Sequence, residues 1–323
     1  MNKEGRPPHT SIYSQRDWEG FLEGGYLFVR STKITSADYE THHRIYAQSF
    51  PEQKLREVDD LDLFPSYFGL IGENPNKIFD QLLVGPSRER ALVIGASGAN
   101  MLLAMIAGYN NIDVIDLSEM QLGWCYAVLV FIALTETQDL VRIVEEFRKT
   151  VYFIRDYHSI QMPKIRQQYI DKLPELFSWF KIPANYHRMV EKNIEYIQFL
   201  VLEQLIDSNV DFVAQYSNLR NMVISGTLPQ FILGNIFRHV QSKPGEYDTI
   251  VTSNVYEWNQ RDMTLSEFCN QVTIGLKPGG VTNAHSIRGL DITDLYGRFS
   301  ILRFEPCKEH QWNKNWLLIQ KHA

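Results

Sequence analysis

RERALVIGASGANMLLAMIAGYNNIDVIDLSEMQ, residues Arg88 to Gln121, is the stretch from which the rest of the chain can be placed. Ala91 to Ile94 is a short apolar run of the kind that a parallel strand buried on both faces requires. Gly95 and Gly98 follow, and glycine lets a backbone turn tightly and approach a ligand closely. Met101 to Ala107 supplies an apolar helix whose first N–H groups point back into that turn. Gly108 and Tyr109-Asn110-Asn111 end the helix, and Ile112 to Ile115 reads as a second strand delivering Asp116 at its C-terminal tip. A carboxylate there can accept hydrogen bonds from both hydroxyls of a ribose.

Two kinds of nucleotide-like cofactor use this layout. A dinucleotide turn carries a third glycine three residues after the second, where helix and strand pass closely, and here that position is Met101. The Tyr-x-x-x-Lys pair of short-chain dehydrogenases is also absent, since none of the 16 tyrosines has a lysine four residues on. S-adenosylmethionine carries no phosphate, needs fewer glycines and still requires the ribose acid. It is therefore favoured over a nicotinamide cofactor and over a glycine turn that serves the chain alone.

Working outward, 323 residues with 44% hydrophobic content can fill one large α/β core with an extra layer, or two modest domains. A net charge of -6 argues against a phosphate-binding basic face, so no nucleic-acid partner is expected. The longest apolar run, Trp124 to Leu134, is far short of the roughly 20 residues that span a bilayer. With no signal-peptide core at the N-terminus, the expectation is a cytoplasmic protein. Cys125, Cys269 and Cys307 are too few and scattered for a disulfide framework or a Cys-x-x-Cys metal site. His42 and His43 are adjacent on a helical stretch, point in different directions and have no accompanying acid cluster, so no metal is expected.

Residues 1–85 read as an N-terminal helical arm, polar at first and then broken into short amphipathic pieces. Between Thr135 and Pro229 no segment reads as a strand, so 135–229 is a helical insert and the natural substrate layer. Regular alternation returns at Gln230. QFILGNI is read as a strand ending at Gly234-Asn235, and EYDTIVTSNVYEW as another with Ser253, Asn254 and Val255 at its tip. LSEFCNQVTIGL is read as a helix stopped by Lys277-Pro278-Gly279-Gly280, before a further strand and a closing pair, ILRFEP and NWLLIQKH. The segments 86–134 and 230–323 together form the nucleotide-binding domain.

The order ALVIGASGAN, VIDLSEMQ, helical insert, ILGNI, IVTSNVYEW and LKPGG resembles the class I S-adenosylmethionine-dependent transferases, over Leu83 to Gln121 and Gln230 to His322. More narrowly, DLSEMQ, GNI and SNVYEW resemble the 3-amino-3-carboxypropyl transferases related to the diacylglycerol enzyme of betaine-lipid synthesis. The resemblance implies an α/β fold: a Rossmann-like seven-stranded class I methyltransferase sheet with a large helical insert and an N-terminal helical arm. It implies that Gly95, Ala96, Ser97 and Gly98 pass under the methionine portion and ribose, and that Asp116 binds the ribose hydroxyls. Leu117 flanks the adenine, Gln121 joins the cofactor-binding set, and Asn235 stands where the family often has an acid that accepts from the adenine amine. Ser253, Asn254 and Val255 border the sulfonium and the acceptor.

The narrower resemblance implies attack on the γ-carbon of the methionine moiety, with release of methylthioadenosine. The group is transferred to a small-molecule acceptor, or cyclised by its own α-amine to azetidine-2-carboxylate. Asn254, Tyr256 and Tyr13 are the candidate catalytic residues, the tyrosines as cation–π partners of the sulfonium. The alternatives are a small-molecule methyltransferase releasing S-adenosylhomocysteine and a non-catalytic S-adenosylmethionine-binding protein. Asn254-Val255 stand where methyltransferases of exocyclic base amines carry prolines, which disfavours that reaction.

Overall fold

A computed structural model describes residues 74–117, 119–140, 163–184, 186–187, 190–191, 205, 210–253, 255–256, 263–286, 290–306 and 315–322. Seven strands form one sheet: β1 Arg90–Ile94, β2 Asn111–Asp116, β3 Gln230–Leu233, β4 Tyr247–Val251, β5 Leu276–Ser286, β6 Phe299–Glu305 and β7 Asn315–Lys321. Their spatial order is β3-β2-β1-β4-β5-β7-β6, parallel from β3 through β5. β7 runs antiparallel to both β5 and β6. The order reverses between β1 and β4, which makes the carboxyl end of β1 a switch point where open α/β sheets bind ligands.

Helices α1 Pro75–Val84, α2 Ala99–Ile106, α3 Glu119–Leu134, α4 Pro163–Trp179 and α5 Phe212–Ile224 belong with one face of the sheet. α6 Ile236–Ser242 and α7 Leu265–Val272 cover the other. Alternation within the strands divides the core accordingly. Ala91, Val93, Val114 and Val251 point to the first face, and Leu92, Ile115 and Ile250 to the second. Although it falls within the stretch read as an arm, α1 packs on the sheet through buried Ile78 and Leu82, while Gln81 Nε2 donates to Ile250 O at 2.9 Å. The described insert helices continue this layer: Leu173, Phe177, Tyr216 and Leu219 share one core with α2 and α3.

Two local expectations change. α7 ends at Val272, where Thr273 Oγ1 donates back to Cys269 O, so Lys277-Pro278-Gly279-Gly280 does not stop a helix. Leu276 already pairs with Tyr247, and the next pairs are Thr249 with Val281 and Ile250 with Thr282. The Pro-Gly-Gly residues are a bulge inside β5, made possible by the left-handed Gly279. β3, likewise, stops at Leu233 before Gly234-Asn235.

Below the switch point, β2 buries an aspartate. Asp113 accepts from Tyr247 Oη at 2.6 Å and Arg90 Nη2 at 2.9 Å, and Tyr247 Oη lies 2.7 Å from His239 Nε2. Burial alone would raise this carboxyl, but His239, whose Nε2 stands 3.9 Å away, and the hydrogen bonds from Tyr247 and Arg90 hold it at about 2. A depressed carboxylate contributes stability that is full above its unfolded value near 3.8 and is lost as pH falls through about 2. Its contribution is about 2 kcal/mol at neutral pH. We expect the stability gap between the wild type and Asp113→Asn, measured by urea unfolding, to narrow by that amount between pH 5 and roughly pH 2.

Candidate functional site

The glycine turn is fixed at both ends by backbone bonds. Gly95 N donates to Ile115 O at 3.0 Å, joining the tips of β1 and β2, and Gly98 N donates to Gly95 O at 2.6 Å. Gly98 has φ +91°, and a Cβ there would lie 3.1 Å from Val128 Cγ2 and 3.5 Å from Cys125 Cα. That position needs glycine for its conformation and again for the close passage of α3. Gly95 has ordinary right-handed angles, so its requirement is different: a Cβ would stand 3.0 Å from Asp116 Oδ2. The carboxylate rests directly against the bare backbone of the turn. Met101, where a dinucleotide fold carries glycine, is fully buried.

Asp116 is half-buried at the tip of β2, and its backbone carbonyl accepts from Gly234 N at 2.9 Å. The Cys125 thiol, fully buried on α3, donates to Gly95 O at 3.4 Å. Burial, with the Asp116 charge adding to it, pushes this thiol well above its ordinary value. Cys125 therefore acts as a neutral prop under the turn. Ala96 and Ser253, at the tips of neighbouring β1 and β4, both have left-handed φ, +34° and +52°. Non-glycine residues in that region cluster at ligand sites.

The structure thus brings Gly95, Ala96, Gly98 and Asp116 together, with Leu117 half-buried beyond Asp116 and Gln121 half-buried in the first turns of α3. Ser97 lies in the same turn, though its side chain is outside the described residues, as are Tyr13 and Asn254. Ser253 is 3% exposed, and Val255 N donates to Thr252 O at 3.1 Å. Tyr256 is packed in the second-face core with its ring centroid 5.2 Å from that of Phe268. Burial, followed by the charges of Cys269 and Asp291, raises its hydroxyl.

Asn235 requires a correction. Its side-chain oxygen accepts from Phe237 N at 2.8 Å and Arg238 N at 3.4 Å, capping α6. The oxygen assigned to the adenine amine is occupied, and the group this amide retains for a ligand is its NH2 donor. Cys125 was missed as part of the turn because it sits inside an apolar helix that reads as packing, and two further buried asparagines are considered below. Among the described residues no group of three or more His, Cys, Asp or Glu side chains is placed to hold a metal. No helix among them is long and apolar enough to cross a membrane.

A seven-stranded sheet in this order, with β7 reversed and an acid at the tip of β2, is the class I methyltransferase fold. No family model matches the chain, and no curated protein matches it. Among solved structures it is similar to the rRNA methyltransferase AviRa from Streptomyces viridochromogenes, at 11% identity and TM-score 0.41, over 80% of this chain and 89% of that one. An rRNA methylase from Streptococcus thermophilus matches at 9% identity and TM-score 0.36, over 78% and 98%. Spermidine synthase from Thermotoga maritima matches at 8% identity and TM-score 0.31, over 75% and 55%. These likenesses concern the fold alone. The expectation of no nucleic-acid partner is withdrawn: two of these similar proteins are named for rRNA, and a net charge of -6 does not exclude a local basic groove.

Proposed function

We propose that the protein binds S-adenosylmethionine at the tips of β1, β2 and β4 and uses it as a group donor. The observation that supports this most directly is the contact between Gly95 and Asp116, where a carboxylate lies against a backbone stripped of side chain. The turn passes a ligand closely and the acid takes the ribose hydroxyls. Met101 stands buried where a dinucleotide turn carries its third glycine, the one that lets helix and strand pass closely, so the turn departs from the dinucleotide pattern. The group transferred is the 3-amino-3-carboxypropyl group, a reading that rests on the DLSEMQ, GNI and SNVYEW elements.

In that reaction the lone pair of a nucleophile forms a bond to the γ-carbon while the carbon–sulfur bond breaks. The electron pair passes to sulfur, the sulfonium charge is cancelled, and neutral methylthioadenosine leaves. An amine nucleophile sheds a proton, and when it is the donor's own α-amine the product is azetidine-2-carboxylate. The carbon is already activated, so the contribution of the protein is alignment and electrostatic support, without a covalent intermediate. Incubation with S-adenosylmethionine alone, with product masses read out, tests the proposal. Methylthioadenosine with azetidine-2-carboxylate supports the internal reaction. S-adenosylhomocysteine formed with an added acceptor replaces this reading with methyl transfer.

A further inference from the structure

Two buried asparagines flank the switch point, and each has half of its side-chain amide occupied. Asn100, in the first turn of α2, is fully buried and donates through Nδ2 to Ile94 O at 3.4 Å. Asn283, on β5, is 1% exposed and accepts through Oδ1 from Thr252 N at 3.0 Å. A second bond, from Thr252 Oγ1 to Asn283 O at 2.7 Å, clamps the same residue. The backbone partners fix both amide orientations, since a carbonyl requires the NH2 group and an N–H requires the oxygen. What remains is Asn100 Oδ1, an acceptor without a partner, and Asn283 Nδ2, a donor without one.

Their anchors are neighbours. Val93 pairs with Val251, so Ile94 and Thr252 are the next residues on two adjacent parallel strands, which are about 4.8 Å apart. A buried polar atom left without a partner costs on the order of 1–3 kcal/mol, which a ligand supplying that partner recovers. One orphan accepts and the other donates, beside the left-handed Ala96 and Ser253. The end of β5 is otherwise unusually polar for a central strand, with Thr282, His285 and Ser286 also buried.

We propose that Asn100 and Asn283 form an α-amino acid subsite, in which Asn100 Oδ1 accepts from an α-ammonium group and Asn283 Nδ2 donates to an α-carboxylate. This rests on the S-adenosylmethionine reading where the amino acid is the donor's own methionine end; a separate amino-acid acceptor has the same chemistry.

Calorimetric titration of the full chain separates the cases, using the wild type, Asn100→Ser and Asn283→Ser. The probes are S-adenosylhomocysteine, which carries the amino-acid end, methylthioadenosine, which lacks it, and L-methionine. Each variant is checked for a cooperative thermal transition, and if one fails to fold the other decides. The expected result is a loss of S-adenosylhomocysteine affinity by roughly ten- to hundredfold in each variant, with methylthioadenosine affinity unchanged. Unchanged S-adenosylhomocysteine binding, together with L-methionine binding to the methylthioadenosine-loaded wild type that both variants lose, assigns the subsite to a separate amino acid. The proposal is overturned if the variants bind all three probes as the wild type does, or lose both nucleosides equally. A wild type that binds neither nucleoside, yet binds L-methionine in an asparagine-dependent way, removes the cofactor reading and keeps the subsite. Binding of no probe removes both.

Discussion

An Asp116→Ala variant is expected to lose S-adenosylmethionine affinity by more than about a hundredfold while unfolding close to the wild-type temperature. Two charge-assisted hydrogen bonds to ribose hydroxyls contribute roughly 1.5–3 kcal/mol each, and together they exceed that factor. The fold is expected to tolerate the change because Asp116 is half-buried at a strand tip, and the bond from Gly234 N to its backbone carbonyl survives the substitution. Isothermal titration and a thermal melt on the same sample check both halves. Wild-type affinity in this variant would sink the assignment of the ribose acid, and with it the choice of cofactor.

The second large effect belongs to stability. Gly98→Val is expected to cost about 3 kcal/mol or more, read as a fall in melting temperature of roughly 4–5 °C or more. A β-branched residue is poorly tolerated at φ +91°, and its first carbon would already stand 3.1 Å from Val128. Gly95→Ala is the matched control. Its backbone is unstrained, and the added methyl meets Asp116 Oδ2 at 3.0 Å, so the loss should appear in cofactor affinity and only weakly in melting temperature. Equal melting losses in the two variants would show that the turn has one structural role and no division of labour.

These contrasts mark how far the chain could be read before its structure was known. β1, the turn, α2, β2 and the acid at its end were legible because each uses a local signal: a short apolar run, glycines, a helical apolar stretch, a polar tip. The KPGG segment misled because glycine and proline signal a break in regular structure without saying whether it is a helix end or a bulge. Asn235 was read at the end of a strand, but β3 stops at Leu233 and its oxygen is consumed by a helix that starts at the next residue, a capping role that an asparagine before an apolar helix also signals. Asn100 and Asn283 were illegible for a different reason. Their chemistry arises from Ile94 and Thr252, backbone positions that become neighbours only when β1 and β4 pair.

That pairing also sets the order in which the protein can be assembled. β1 pairs on one side with the nearby β2 and on the other with β4, which follows the whole of residues 135–229, Ala91 meeting Thr249. Contacts so distant along the chain bring loop-closure cost early and slow the search for the native state. On a ribosome, the first-face helices can gather around β1 and β2 while the partner strand is still unmade. The switch point at the tips of β1 and β4 is therefore among the last parts of the molecule to exist, and a chain truncated before Tyr247 should collapse around its first-face core yet never acquire it.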